Sequence, residues 1–143
     1  GSIHWDPDVF EALYERITGK IQAHYDDIVQ TESAYLDDAE VGIIAYGSEA
    51  RPAQEAVELA RAKGIRAGLL KLATVWPVPE REIRSLAEQC SIALAVEMNI
   101  GKYAGEIERV VAGRRPVVRV TKNRGLVHTP SEILQAMEDA WKK

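Results

Sequence analysis

Apolar stretches alternate with amphipathic ones along the chain, which predicts strands separated by helices. The clearest stretch, Val41 to Tyr46, is apolar at nearly every position. A strand buried on both faces has this pattern, which is typical of the middle of a parallel sheet. A helix is predicted to follow, with Pro52 in its first turn and Gly64 as the left-handed residue that ends it. Its buried face consists of Ala53, Ala56, Val57 and Ala60, at helical spacing.

Further strands are predicted on both sides of this unit. They comprise the short segment Thr31 to Leu36 and the longer segments Ile65 to Leu72, Ile92 to Met98 and Val117 to Val120. Gly68 marks a point where a neighbouring group comes close to the backbone. Arg119 interrupts the last apolar run and therefore places that strand at an edge of the sheet.

The remaining helices are predicted from caps and apolar faces. Asp6-Pro7 begins a helix of about 20 residues that continues across Gly19. A second helix begins at Glu80, after a loop with two prolines, and buries Cys90 in its apolar face. Thr129-Pro130-Ser131-Glu132 is a capping box that opens the last helix. The stripe of the first helix comprises Phe10, Leu13, Tyr14, Ile17, Ile21, Tyr25 and Ile28.

The alternation of strands with helices predicts an α/β fold whose mainly parallel sheet has helices on both faces. A length of 143 residues suits one domain, and no apolar run is long enough to span a membrane. The net charge of −4 gives no electrostatic case for binding nucleic acid or an anionic membrane. Because Cys90 is the single cysteine, this chain alone cannot build a disulfide, a zinc site or an iron–sulfur cluster. A reducing cytoplasm is the expected location.

The first residues suggest a piece of a longer protein. Gly1-Ser2 has the form of a cloning scar, and no initiator methionine or signal peptide precedes it. We therefore expect residues 1–30 to contain this scar and a long connecting helix. Residues 31–143 are expected to form the domain itself.

Candidate chemistry lies where the predicted strands end, because ligands of open α/β sheets usually bind there. Ser48 and Arg51 could hold an anion at a helix start, although capping is the commoner role for such a serine. Glu97 could transfer protons, but a carboxylate at this position more often accepts hydrogen bonds from loop amides. Trp76 is more typical of an interface or of packing than of a substrate platform. The candidate residues are Ser48, Glu49, Arg51, Trp76, Glu97, Asn99, Gly101 and Lys102.

The usual catalytic motifs are missing from the sequence. It contains no G-x-G-x-x-G after the central strand, no Walker A motif and no G-x-S-x-G motif. His4, His24 and His128 have no companion at metal-ligand spacing. The residues by themselves therefore indicate an α/β domain without a self-contained active site.

Four segments in the right order resemble one known family over about Glu32 to Ala140. The chain is similar to the carboxy-terminal domain of the alpha subunit of 2-oxoacid:ferredoxin oxidoreductases, in the branch that acts on 2-oxoglutarate or branched-chain oxoacids. Two positions depart from the family pattern, with Lys102 in place of glutamine and Val78 in place of phenylalanine. The resemblance is carried by Asp37-Asp38-Ala39-Glu40, Ile44-Ala45-Tyr46-Gly47-Ser48, Gly68-Leu69-Leu70-Lys71-Leu72 followed by Trp76-Pro77-Val78-Pro79, and Val96-Glu97-Met98-Asn99-Ile100-Gly101.

This resemblance implies a transketolase C-terminal-like fold, with three layers and a five-stranded mixed sheet. Thr31 to Leu36 would be its antiparallel edge strand, and Val41 to Tyr46 would lie beside Ile92 to Met98. Ser48 and Asn99 would then meet at the point where the strand order reverses.

The resemblance also implies a role within a larger enzyme. That enzyme decarboxylates a 2-oxoacid on thiamine diphosphate with magnesium, passes electrons through an iron–sulfur cluster to ferredoxin, and forms an acyl-CoA. The thiamine and cluster ligands of the family come from other domains and the beta subunit, so no cofactor is expected on this domain.

Three hypotheses follow. The first is a non-catalytic assembly domain that docks on other alpha-subunit domains, the beta subunit or a second alpha chain, through its loops and its first helix. Packing of that helix on its own sheet is the alternative. The second hypothesis is a small-anion or CoA-binding module built from Ser48, Arg51, Asn99 and Lys102. The third is the matching domain of another thiamine enzyme, such as a transketolase or a dehydrogenase beta chain.

Overall fold

A computed structural model describes residues 6–142, and a five-stranded sheet runs through its centre. The strands are β1 (Thr31–Ala34), β2 (Val41–Tyr46), β3 (Ala67–Leu72), β4 (Ile92–Glu97) and β5 (Val117–Thr121). The helices are α1 (Pro7–Ala23), α2 (Tyr25–Ile28), α3 (Ala50–Ala62), α4 (Glu80–Gln89), α5 (Lys102–Val111) and α6 (Pro130–Trp141). None of the helices in residues 6–142 is both long and apolar enough to cross a membrane.

The strand order is β1-β3-β2-β4-β5. β1 pairs antiparallel with β3, whereas β2 pairs in parallel with β3 and with β4, and β4 pairs in parallel with β5. From β2 the chain first crosses to β3 on one side and then returns to β4 on the other, so the strand order reverses between β2 and β4. The predicted fold class, the antiparallel edge strand and the pairing of β2 with β4 are confirmed.

Helices cover both faces of the sheet and create two hydrophobic clusters. Ile43 belongs to the cluster under α3 and α6, and Ile44 belongs to the cluster under α4 and α5. Both side chains are completely buried. Because successive side chains of a strand point to opposite faces, a strand covered on both sides must be apolar at every position, as β2 is.

Four strand ends differ from the prediction by one or two residues, including that of β5, which extends one residue further to Thr121. β1 stops at Ala34 because Tyr35 adopts a left-handed conformation, with φ of 58°. β3 starts at Ala67 because the amide of Ile65 still closes the end of α3, donating to the carbonyl of Ala60 at 3.0 Å. β4 ends at Glu97, one residue before Met98.

Cys90 lies in the core, as predicted. It is completely buried directly after α4, in the cluster that also holds Leu86 and Ala87. Burial raises the pKa of its thiol to about 11, with a smaller opposing effect from Arg115. A thiol with such a pKa stays protonated near neutral pH, so Cys90 acts as a small hydrophobic side chain.

The first helix departs most from the prediction. Instead of one continuous helix, α1 and α2 are separated at His24. No residue of α1 is buried, and the side chains of Phe10, Tyr14 and Ile17 are 66%, 64% and 56% exposed. The first three turns of the stripe therefore do not pack on the sheet of this chain. They form an apolar surface, named here the α1 stripe: Val9, Phe10, Leu13, Tyr14 and Ile17.

The capping box at the start of α6 is present as predicted. The Thr129 hydroxyl accepts a hydrogen bond from the Glu132 amide at 3.3 Å, and the Glu132 carboxylate accepts one from the Thr129 amide at 2.7 Å. Lys122 Nζ donates to both oxygens of that carboxylate at 2.9 Å. The Lys122 ammonium, followed by the Thr129 amide, lowers the pKa of Glu132 to about 2.

We expect Glu132→Gln to destabilise the protein at neutral pH and to have no effect at very low pH. A carboxyl group whose pKa is lower in the folded state stabilises that state above its unfolded pKa, and this contribution disappears as pH falls from about 4.5 to about 2. Urea midpoints of the wild type and the variant, measured across this range, should converge. Exposed Glu58, replaced by Gln, is the control. A gap that stays constant with pH would contradict this account.

Candidate functional site

The carboxyl ends of β2 and β4 meet around the buried carboxylate of Glu97. This side chain is 1% exposed and accepts four hydrogen bonds. Oε2 accepts from the Tyr46 hydroxyl at 3.0 Å, the Asn99 amide group at 2.8 Å and the Tyr103 backbone amide at 3.1 Å. Oε1 accepts from the backbone amide of Ala104 at 3.1 Å. Glu97 therefore binds amides of the first turn of α5, the alternative that the sequence favoured over proton transfer.

Asn99 completes the closure of the α5 amino terminus. Its Oδ1 accepts from the amides of Gly101 at 2.8 Å and Lys102 at 2.9 Å, while its Nδ2 also donates to the Tyr46 hydroxyl at 2.8 Å. Position 101 requires glycine, because the backbone there has a φ of 91°, which other residues rarely adopt. Amides at a helix start often bind anions, but here Asn99 and Glu97 occupy them. This end of α5 is therefore closed to a further anionic ligand.

Two tyrosines frame the carboxylate. The rings of Tyr46 and Tyr103 lie with centroids 5.1 Å apart at an angle of 60°. Burial, together with the Glu97 carboxylate, raises the pKa of Tyr46 to about 12. Burial also raises the pKa of Tyr103, with a smaller contribution from Tyr46. Both phenols therefore stay protonated near neutral pH and remain hydrogen-bond donors.

Large hydrophobic side chains are exposed on the loops around this network. Trp76 follows β3 and Ile100 follows β4, and each is 68% exposed. Leu126, in the loop after β5, is 63% exposed. We call this surface the carboxyl edge; its exposed hydrophobic residues are Val75, Trp76, Met98, Ile100, Leu126 and Val127.

A groove of about 1010 Å³ lies next to Trp76. Tyr25 and Tyr103 are among the residues that line it, together with residues of α4 and α5. Arginines in the groove are neutralised: Arg84 pairs with Glu80 at 2.7 Å, and Arg81 pairs with Asp26. The groove therefore combines aromatic surface with balanced charge.

The turn after β2 contains a second buried carboxylate. Glu49 is 1% exposed, and its oxygens accept the backbone amide of His128 at 3.2 and 3.3 Å. The His128 Nδ1 atom lies 3.1 Å from Glu49 Oε2, at an angle that does not form a hydrogen bond. This contact fastens the start of α3 to the start of α6.

The remaining candidates do not join one site. Ser48, Arg51 and Lys102 are exposed. No side chain caps α3, and none of the ion pairs among residues 6–142 involves Arg51 or Lys102. The structure thus brings Glu97, Asn99 and Gly101 together, places Glu49 with His128, and leaves Trp76 on the surface.

The sequence pattern does not indicate that Tyr46, Tyr103 and His128 belong to these networks. Tyr46 carried a weak signal, since it ends an otherwise aliphatic strand with a polar group. His128 precedes a helix cap, and nothing in the sequence indicates that its side chain is buried, with 6% of its surface exposed. Across residues 6–142, no group of three or more His, Cys, Asp or Glu side chains could hold a metal ion.

Comparison with known proteins identifies the family. Residues 39–133 match the family described as pyruvate:ferredoxin oxidoreductase core domain II. This chain belongs to that family. It is 42% identical over 129 residues to the 2-oxoglutarate synthase subunit KorA of Methanothermobacter marburgensis, covering 90% of this chain and 34% of the relative. It is 34% identical over 138 residues to the ketoisovalerate oxidoreductase subunit VorB of the same organism, covering 96% of this chain and 39% of the relative.

Solved structures have the same fold as this core domain II. A 2-oxoglutarate:ferredoxin oxidoreductase from Magnetococcus marinus, with 2-oxoglutarate, coenzyme A and succinyl-CoA bound, superimposes with a TM-score of 0.80 at 21% identity, covering 97% of this chain and 24% of that chain. A split-gene transketolase superimposes with a TM-score of 0.67 at 22% identity, covering 78% and 41%. At these identities the likeness establishes the fold alone. The chain spans about a third of the length of its KorA relative.

Proposed function

We propose that this chain is an assembly domain in the alpha subunit of a thiamine diphosphate-dependent 2-oxoacid:ferredoxin oxidoreductase. Membership of core domain II and the identity to KorA and VorB support this assignment. The proposed complex converts a 2-oxoacid, CoA and oxidised ferredoxin into an acyl-CoA, carbon dioxide and reduced ferredoxin. It is proposed to act in the cytoplasm.

The observation that carries this proposal is the contrast at the carboxyl edge. The polar groups at this edge, above all Glu97 and Asn99, are occupied by internal hydrogen bonds. Hydrophobic side chains in the loops around them, such as Trp76 and Ile100, are exposed. A patch of large exposed hydrophobic residues is typical of a surface that binds another protein.

We assign the chemistry to other parts of the complex. Residues 6–142 provide no metal-binding cluster, and the one cysteine is buried and protonated. In this proposal the iron–sulfur cluster belongs to the rest of the complex, and we assign thiamine diphosphate, magnesium and the CoA site to the other parts of the alpha subunit and to the beta subunit as well. We expect the 143-residue chain alone not to oxidise 2-oxoacids.

The partner that we propose for the carboxyl edge is the remainder of the alpha subunit. The relatives are about three times as long as the matched region, so a large part of the subunit is available to cover it. The α1 stripe provides a second contact of the same kind, within the connecting segment that we place in residues 1–30. Contacts with the beta subunit and with a second alpha chain then complete the complex.

Replacing single exposed side chains of the carboxyl edge by alanine tests this proposal. The full-length alpha subunit is divided into two separate chains, this domain and the remainder. We expect Trp76→Ala and Ile100→Ala each to weaken the association of these two chains about tenfold. The physical reason is that a large apolar side chain loses its buried contact in the partner. Titration calorimetry of the two pieces measures the effect.

Leu59→Ala is the matched control, because Leu59 is 39% exposed on α3, away from the carboxyl edge. It should leave the association unchanged. Equal affinities for the wild type, Trp76→Ala and Ile100→Ala would refute the proposed docking surface. Turnover of a 2-oxoacid by the 143-residue chain without partners would refute its non-catalytic role.

A further inference from the structure

Tyr103 connects the two loops that carry the most exposed hydrophobic residues of the carboxyl edge. Its hydroxyl donates to the carbonyl of Val75 at 3.0 Å, and its backbone amide donates to Glu97 at 3.1 Å. Val75 directly precedes Trp76, and Ile100 lies three residues before Tyr103. A single side chain therefore ties the loop after β3 to the start of α5.

The loop after β3 has anchors on both sides of Trp76. The amides of Ala73 and Thr74 donate to the Gln30 carbonyl at 3.0 Å, and the Thr74 hydroxyl donates to the Ile28 carbonyl at 2.8 Å. At the far end, the Glu80 amide donates to the Val78 carbonyl at 2.7 Å. Between these anchors, one hydrogen bond among residues 6–142 holds the Val75–Trp76 segment, the bond from the Tyr103 hydroxyl to the Val75 carbonyl.

Tyr103 is itself held firmly. Its ring lies against the ring of Tyr46, whose hydroxyl donates to the same Glu97 oxygen that accepts the Tyr103 amide. Because burial raises the pKa of Tyr103, its hydroxyl keeps the proton that it donates to Val75. The orientation of this donor is thus set by the closed network around Glu97.

We propose that Tyr103 is a positioning residue of the carboxyl edge. Its hydroxyl holds Trp76 in the orientation in which Trp76 binds the partner. The inference rests on the proposed docking function. A side chain that is ordered before binding loses less conformational entropy when the complex forms. Loss of the hydroxyl should therefore affect the motion of Trp76 in the free chain and the affinity of the complex, with little change in the fold.

The first experiment reads the motion of Trp76 directly. In a background of Trp5→Phe and Trp141→Phe, Trp76 is the single tryptophan of the chain. We expect Tyr103→Phe, which keeps the ring, to increase the amplitude of fast Trp76 rotation about twofold in time-resolved fluorescence anisotropy, which reports nanosecond motion. Tyr35→Phe is the control, because Tyr35 lies in the turn after β1, away from the carboxyl edge, and its hydroxyl forms no hydrogen bond with residues 6–142. Unchanged rotation in Tyr103→Phe would overturn the inference.

The second experiment measures the association of the separated subunit pieces described above. We expect Tyr103→Phe to weaken it about fivefold, because a Trp76 segment that moves in the free chain must be ordered when the complex forms. The unfolding midpoint of the chain should fall only slightly, as expected for the loss of one exposed hydrogen bond. If Trp76→Ala and Ile100→Ala leave the association unchanged, the docking function itself fails. If those variants weaken it and Tyr103→Phe does not, only the positioning role is refuted.

Discussion

Glu97→Leu is expected to lower the free energy of unfolding by about 4 kcal/mol, since breaking a buried charged hydrogen-bond network leaves its partners unpaired. Leucine fills much of the same space but cannot accept a hydrogen bond. The Tyr46 hydroxyl, the Asn99 side-chain amide and the backbone amides of Tyr103 and Ala104 would all lose an acceptor. The closure of the α5 amino terminus would be lost with them.

Denaturant unfolding monitored by circular dichroism measures this effect. Glu97→Gln is the intermediate variant, because it keeps one acceptor oxygen but directs a new NH₂ donor at existing donors. Glu108→Leu is the matched control: the Glu108 carboxylate is partly exposed and pairs with Arg119, and such surface pairs stabilise proteins only slightly. If Glu97→Leu is no more damaging than Glu108→Leu, the network does not stabilise the fold as described.

Gly68→Ala is expected to lower the free energy of unfolding by about 2–3 kcal/mol, the cost of inserting a group into a filled site. A Cβ atom at Gly68 would lie 2.7 Å from the backbone oxygen of Tyr35, 2.7 Å from Leu36 Cδ2 and 2.9 Å from Ala39 Cβ. Leu36 could change its rotamer. The Tyr35 carbonyl belongs to the turn after β1, however, and cannot move without displacing that turn.

Gly105→Ala is the control for this substitution, and its effect should have the opposite sign. Nothing lies within 4 Å of the position of a Cβ atom at Gly105, which is inside α5. Alanine there should stabilise the protein by about 0.5–1 kcal/mol, because glycine loses more backbone entropy in a helix. Thermal unfolding of both variants tests the pair. A stabilised Gly68→Ala protein would contradict the close approach that the structure describes.

The layered fold was predictable because burial on both faces of a sheet imposes a local pattern. The uninterrupted apolar run of β2 and the small-residue face of α3 both follow from this requirement, and so does the close approach at Gly68. Strand ends were less predictable. Ile65 is apolar and suits a strand, but its amide closes α3, and apolar periodicity does not report hydrogen bonding.

The site was predictable only in part. The sequence placed Glu97, Asn99 and Gly101 at the end of a buried strand and favoured hydrogen bonds from Glu97 to loop amides, which the structure contains. It did not place Tyr46 against Glu97 or His128 against Glu49, partners that lie 51 and 79 positions apart in the chain.

The sequence by itself thus determined the alternation of strands and helices, the composition of the core and the caps at Asp6 and Thr129, because each depends on neighbouring residues. The tertiary structure decided which polar groups meet at the carboxyl edge and that the α1 stripe stays exposed among residues 6–142. An apolar stripe has the same periodicity whether it faces its own sheet or a partner. In the structure α1 is separated from α2 at His24, and none of its residues is buried.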